Sequence, residues 1–165
     1  MLTNTKLLSL EDAQKVREQL RCEGRRLAIT NGCFDLLHAG HVYYLNEAAR
    51  QADQLWLLMN SDASVQAIKG PSRPIQNEVY RAYVMSALEA IDAIIIFKTP
   101  RLDAEIRQLK PDIYFKAGDY SIDTIDKQEK AALIEVGADI RFLPFLDGFS
   151  SSNLMMKLSK ASEGR

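Results

Sequence analysis

The chain carries two histidines, His38 and His41, and they stand three residues apart. Near the first turn of a helix, residues so spaced share a face, and two imidazoles there offer nitrogen donors to one guest. A helix N-terminus adds unpaired N–H groups and the positive end of a dipole, which attract anions and above all phosphate. Gly40, between the histidines, removes a side chain and leaves room for something bulky. Gly32 just upstream permits a tight exit and a close backbone approach. Two other readings stand beside phosphate binding. A zinc site would need Cys33 or Asp35 to complete it, since no third histidine exists and the metalloprotease spacing is i, i+4 with a Glu between. The plainer alternative is a pair of capping histidines without chemistry.

Three further segments carry unusual polar residues. Lys69 and Arg73 fall in a stretch punctuated by Gly70, Pro71 and Pro74, read as an exposed, restricted loop whose long cations can grip phosphates. Exposed Lys and Arg are commonplace in loops, so each alone says little. Arg81 follows early in a helix, with a substrate or phosphate role set against a surface ion pair to Glu78 or Glu89. Lys116 and Asp119 flank Ala117 and Gly118 in a compact polar turn. Ser150, Ser151 and Ser152 precede a short apolar stretch, where hydroxyls can cap a helix and form a second anion nest.

The elements that must position these residues follow from periodicity. Apolar runs of strand length, 27–30, 55–59, 93–97, 113–115 and 140–143, alternate with helical segments 42–52, 77–88, 102–109, 125–136 and 151–158. A first helix is capped by Ser9 and closed by Gly24. This alternation predicts an α/β fold: a Rossmann-like, doubly wound, five-stranded parallel sheet in a single domain. Residues 1–25 are expected as an N-terminal helical extension and 26–160 as the core. In such sheets ligands bind beyond the carboxyl ends of the strands, where all four polar segments lie.

Composition bounds the rest. The 165 residues are 47% hydrophobic and 26% charged, enough for one domain with a packed core. Net charge is −1, which argues against the broad basic footprint of a nucleic-acid binder. Two cysteines, Cys22 and Cys33, give no disulfide framework. The N-terminal segment does not read as a secretory signal, and no apolar run approaches a membrane span. A cytoplasmic protein without membrane or nucleic-acid partners is expected.

The segment TNGCFDLLHAGHVYYL resembles the strand exit G-x-F-D-x-x-H-x-G-H of the cytidylyltransferase-type branch of the HxGH nucleotidyltransferase superfamily, and the motif order continues from Leu27 to Leu158. The resemblance implies that His38 and His41 contact a triphosphate and stabilise the transition state, with no covalent enzyme intermediate. NSD followed by KGPSRPI is similar to the sugar-phosphate adenylyltransferases, which form ADP-heptose from heptose 1-phosphate. KAGDY resembles K-G-G-D-Y of those enzymes, with Ala117 a departure. FLDGFSSSN resembles E-G-x-S-T-T; Phe145 stands where the glycerol-phosphate cytidylyltransferases have Arg, so Lys69, Arg73 or Arg81 would supply that charge.

What the resemblance implies for the site is as follows. His38, His41 and Lys69 are catalytic. Gly32, Cys33, Phe34, Asp35, Gly40, Arg81, Lys116, Gly118, Asp119, Ser150, Ser151 and Ser152 bind the nucleotide, and Asn31, Asp35, Lys69 and Arg73 bind the acceptor. The expected reaction transfers AMP from ATP, with Mg²⁺, to a sugar 1-phosphate, D-glycero-β-D-manno-heptose 1-phosphate in the first instance, releasing pyrophosphate and giving ADP-heptose for the lipopolysaccharide inner core. Alternatives are CTP with glycerol 3-phosphate, and nucleotide sensing without turnover. The resemblance also implies a separate sugar kinase supplying the acceptor, and it makes a homodimer an alternative to the monomer.

Overall fold

The computed structural model describes residues 3–118 and 120–144. Helix α1, Leu10–Cys22, precedes strand β1, Leu27–Gly32; α2, Ala39–Ala49, leads to β2, Gln54–Asn60. Helices α3, Asp62–Lys69, and α4, Glu78–Ser86, lead to β3, Ala93–Phe97. Helix α5, Asp103–Leu109, precedes β4, Ile113–Ala117, and α6, Lys127–Val136, precedes β5, Asp139–Leu143. The five strands form one parallel sheet in the order β3-β2-β1-β4-β5. The expected doubly wound sheet is therefore present. The chain moves from β1 out to β3, then returns to lay β4 on the other flank of β1. The switch point thus opens a crevice between the carboxyl ends of β1 and β4.

Successive strand residues face opposite ways, so each buried strand feeds two apolar layers. Ile29, Trp56, Leu58, Ile95 and Tyr114 pack with Ala13 and Leu20 of α1, Ile106 of α5 and Leu133 of α6. Ala28, Leu55, Leu57, Ile94 and Phe115 pack with Tyr44 and Leu45 of α2 and Met85 of α4. The N-terminal helix is built into the first layer, and Leu8 and Lys6 exchange backbone bonds with Ile94 of β3.

Local chemistry sets the element ends. Ser9 caps α1 by accepting the Asp12 N–H at 3.0 Å, and Asn77 caps α4 by accepting from Tyr80 at 3.0 Å. Two sequence expectations change. Residues 61–69 read as part of a loop, yet Ser61 accepts the Ser64 N–H and opens α3, so Lys69 ends a helix. Helix α2 starts at Ala39 rather than at 42, because His38 is itself extended and serves as the N-cap residue. The expected helix 151–158 lies outside the described residues. No helix among the described residues is long and apolar enough to cross a membrane.

Candidate active site

Beyond Gly32 the chain turns sharply. Phe34 adopts φ +46, a left-handed conformation costly for a residue with a side chain, and its ring folds back over Gly32. A Cβ on Gly32 would sit 2.7 Å from that ring. The glycine therefore answers the Phe34 ring, a partner that the sequence does not reveal. The same ring meets His41 at 4.9 Å between centroids. Asp35 follows and is almost wholly buried. One carboxylate oxygen accepts the N–H groups of Ile75 and Gln76 at 2.8 and 3.2 Å. The other lies 2.9 Å from the Arg73 guanidinium, an ion pair without hydrogen-bond alignment. Asp35 thus straps the segment after α3 to the exit of β1.

The two histidines come together as their spacing predicts. His38 is the N-cap residue of α2 and His41 lies in its first turn, with the rings stacked 3.8 Å apart. The N–H groups of Ala39 and Gly40, at the first two helical positions, have no intrahelical partner. Burial pushes the His41 imidazole down to about 4, with His38 and Lys69 adding repulsion, and burial lowers His38 as well. Both rings are therefore neutral near pH 7. Each Nδ1 is buried without a hydrogen-bond partner among the described residues.

A cavity of about 380 Å³ opens at this point. Asn31, Gly32, Cys33, Phe34, Asp35, His41, Lys69 and Lys116 line it, all of them residues the sequence pointed to. Lys69 closes α3 and makes no ion pair with any described residue, and its charge reaches both His41 and Cys33. Lys116 leaves β4 with its ammonium donating to Asn31 Oδ1 at 2.9 Å and to the Tyr114 hydroxyl at 3.2 Å. Tyr114 donates to the same Asn31 oxygen at 2.9 Å. Burial lowers the Lys116 ammonium, while Glu129 opposes that shift. Gly118 follows at φ +91, and its N–H is held by Leu143.

Other expected residues stand elsewhere. His38 and Gly40 support the cavity wall without lining it. Arg73 is turned to Asp35 rather than toward the cavity. Arg81 is 1% exposed, so the surface pair with Glu78 or Glu89 does not form. Its guanidinium instead donates to Gln76 O at 3.0 Å, Cys33 O at 2.5 Å and Asp62 Oδ1 at 2.7 Å. It therefore binds the β1 exit to the ends of α3 and α4. Asp119, Phe145, Ser150, Ser151 and Ser152 lie outside the described residues.

The cavity also contains residues that sequence reasoning missed. Asn60, at the carboxyl end of β2, bonds Ser64 Oγ at 2.9 Å; the strand-end rule applied to that position would have found it. Tyr44 bonds Thr30, while Pro100, Tyr120 and Glu129 come from other elements, and no local pattern marks them. Among the described residues no three His, Cys, Asp or Glu side chains converge as a metal site. Cys33 Sγ instead faces Asn60 Oδ1 at 3.8 Å, and burial pushes its thiol up.

Residues 29–157 match the family described as cytidylyltransferase-like. The bifunctional protein HldE of Alcanivorax borkumensis is 39% identical over 152 residues, which is 92% of this chain and 30% of that protein. The bifunctional protein HldE of Trichlorobacter lovleyi is 40% identical over 157 residues, 94% of this chain and 31% of its own length. The chain thus spans about a third of the curated relatives it matches. Among solved structures, the lipopolysaccharide core biosynthesis protein from Thermoplasma volcanium GSS1 superposes with TM-score 0.60 at 26% identity, covering 74% of this chain and 98% of that one.

Proposed function

The chain belongs to the cytidylyltransferase-like family and is a nucleotidyltransferase, and from that premise we propose that it transfers AMP from ATP to a sugar 1-phosphate. D-glycero-β-D-manno-heptose 1-phosphate is the first candidate acceptor, on the similarity to HldE and to a lipopolysaccharide core biosynthesis protein. A sugar kinase activity has to supply such an acceptor.

The observation that carries this reading is the stacked histidine pair at the α2 N-terminus, beside a cavity that Lys69 also lines. An oxygen of the acceptor phosphate attacks the α-phosphorus of ATP and forms a new P–O bond. The bond from that phosphorus to the bridging oxygen breaks, and its electron pair leaves on pyrophosphate. Both reactants are anions, so the protein's work is alignment and charge neutralisation. His41 and the open N–H groups of α2 face the triphosphate. Their donors are fixed before the substrate arrives, His41 by the ring of Phe34 and by the stack with His38. Lys69 offsets the repulsion between the two phosphate groups. The Cys33 thiol, pushed up by burial, is a poor nucleophile at neutral pH, which agrees with direct transfer.

Among the described residues no cation site forms around the histidines, and Asp35 is held by Arg73 and two backbone N–H groups. Mg²⁺ is expected to travel with the triphosphate as part of the substrate.

The deciding experiment incubates the protein with ATP or CTP and a panel of sugar 1-phosphates and glycerol 3-phosphate, following pyrophosphate release. Release with ATP and a sugar 1-phosphate supports the proposal, while CTP with glycerol 3-phosphate overturns it. His41→Ala should reduce release by at least a hundredfold and leave the circular dichroism spectrum unchanged. ATP-induced thermal stabilisation with no turnover on any acceptor would instead favour nucleotide sensing.

A further inference from the structure

The cavity lining combines two kinds of chemistry. His41, in the first turn of α2, and Lys69 are suited to phosphate. Glu129 of α6 also reaches the cavity wall, although α6 packs mainly against α5 on the opposite layer. Only 6% of Glu129 is exposed. Its Oε1 accepts the Leu102 N–H at 3.1 Å, and among the described residues no other donor lies within hydrogen-bond distance of the carboxylate. Burial pushes the carboxyl up, and Lys116 opposes that shift by holding the ionised form. A buried carboxylate is costly unless its acceptor capacity is used. An ionised carboxylate also repels phosphate, which disfavours a phosphate group placed beside it.

We propose that Glu129 is the specificity residue of this site, accepting hydrogen bonds from the hydroxyl groups of a sugar ring whose phosphate lies toward His41 and Lys69. This rests on the transferase reading and deepens it. The wall around Glu129 suits a polyhydroxylated ring. Lys116, which donates to Asn31 and Tyr114, has a third N–H for a ring or hydroxyl oxygen, and Tyr120 and Pro100 supply apolar surface for C–H faces. Both the ribose of the nucleotide and the ring of the acceptor have this chemistry, and the experiment tells them apart.

Glu129→Gln is the informative variant, because its amide oxygen still accepts from Leu102 while its amino group donates where the carboxylate accepted. Binding of ATP, 2′-deoxy-ATP, 3′-deoxy-ATP, inosine triphosphate and a panel of sugar 1-phosphates is measured by calorimetry on wild type and variant, with no turnover required. A ribose contact appears as a roughly tenfold preference of wild type for ATP over one deoxy nucleotide that disappears in the variant. An acceptor contact appears as unchanged ATP affinity with sugar 1-phosphate binding weakened about tenfold. Either result supports the proposal. Unchanged affinities throughout overturn it and leave Glu129 as a support for α5. Loss of discrimination only against inosine triphosphate also overturns it, because the donor would then be the adenine amino group. A wild type that binds these ligands but transfers nothing would defeat the transferase reading while still deciding the role of Glu129.

Discussion

His41 shows how burial sets the protonation state of a side chain. Burial takes its imidazole down to about 4, against an ordinary value of 6.5. The unfolded chain therefore binds a proton between those values that the folded chain refuses, and stability falls as pH drops from about 6.5 toward 4. Burial is the first cause, with His38 and Lys69 adding to it, so on the proposed reading a bound triphosphate reverses the shift by supplying negative charge. Two outcomes are expected. The unfolding free energy of wild type should fall between pH 7 and pH 4 by up to roughly 3 kcal/mol more than that of His41→Gln, measured by denaturant titration. ATP binding near pH 6 should take up protons, read from calorimetry in buffers of different ionisation enthalpy. Equal pH slopes for the two proteins would remove His41 from this account. The histidine pair was legible from its spacing, whereas its half-buried, neutral state follows from the tertiary packing around it, the Phe34 ring against His41 included.

At the scale of elements, the site depends on a junction between the β1 exit, the segment after α3 and the start of α4. Gly32 leaves room for the Phe34 ring, so Gly32→Ala forces ring or strand to move. It should cost about 1–3 kcal/mol, as overpacking usually does, and reduce transfer further by displacing His41. Chemical denaturation and steady-state kinetics on the same preparation check both parts; a neutral substitution would show that the ring moves freely. Arg81 ties Cys33, Gln76 and Asp62 together from a fully buried position. Arg81→Met leaves those acceptors unpaired and should destabilise by about 3–5 kcal/mol, with the melting temperature as the readout. The sequence marked Arg81 as a basic position near phosphate. Its role as an internal tie could not be read there, because its three partners are 5, 19 and 48 residues away.

At the scale of the whole molecule, a chain of buried contacts ties the sheet together at the edge opposite the cavity. Arg17 of α1 is buried and donates to the carbonyls of Leu109 and Lys110 at the end of α5. It also pairs with Asp112 at 3.0 Å, whose carboxylate receives the Leu27 N–H that starts β1. This chain of contacts lies at the amino ends of β1 and β4, away from the cavity. Arg17→Met should therefore lower stability by about 3 kcal/mol while leaving KM values unchanged at a temperature where the variant stays folded. A selective rise in KM without loss of stability would contradict that separation.

The alternation of apolar strands with helical segments was enough to predict a doubly wound parallel sheet, because strand and helix periods are local properties of the chain. The histidine spacing and the strand-end rule likewise placed His41, Lys69 and Lys116 at one edge before any contact was known. Only the tertiary structure decided which cations face the cavity. Arg73 and Arg81 were drawn instead to Asp35 and Asp62, because a buried charge takes whichever opposite charge the fold brings to it, Asp35 in the first pair and Arg81 in the second being the buried member. Only the tertiary structure brought Glu129 to the cavity, since it lies far along the chain from His41 and shares the cavity with it through the crossover that puts β4 beside β1. The chemistry available to each segment is local and can be read along the chain; which segments share a pocket depends on the order of the strands.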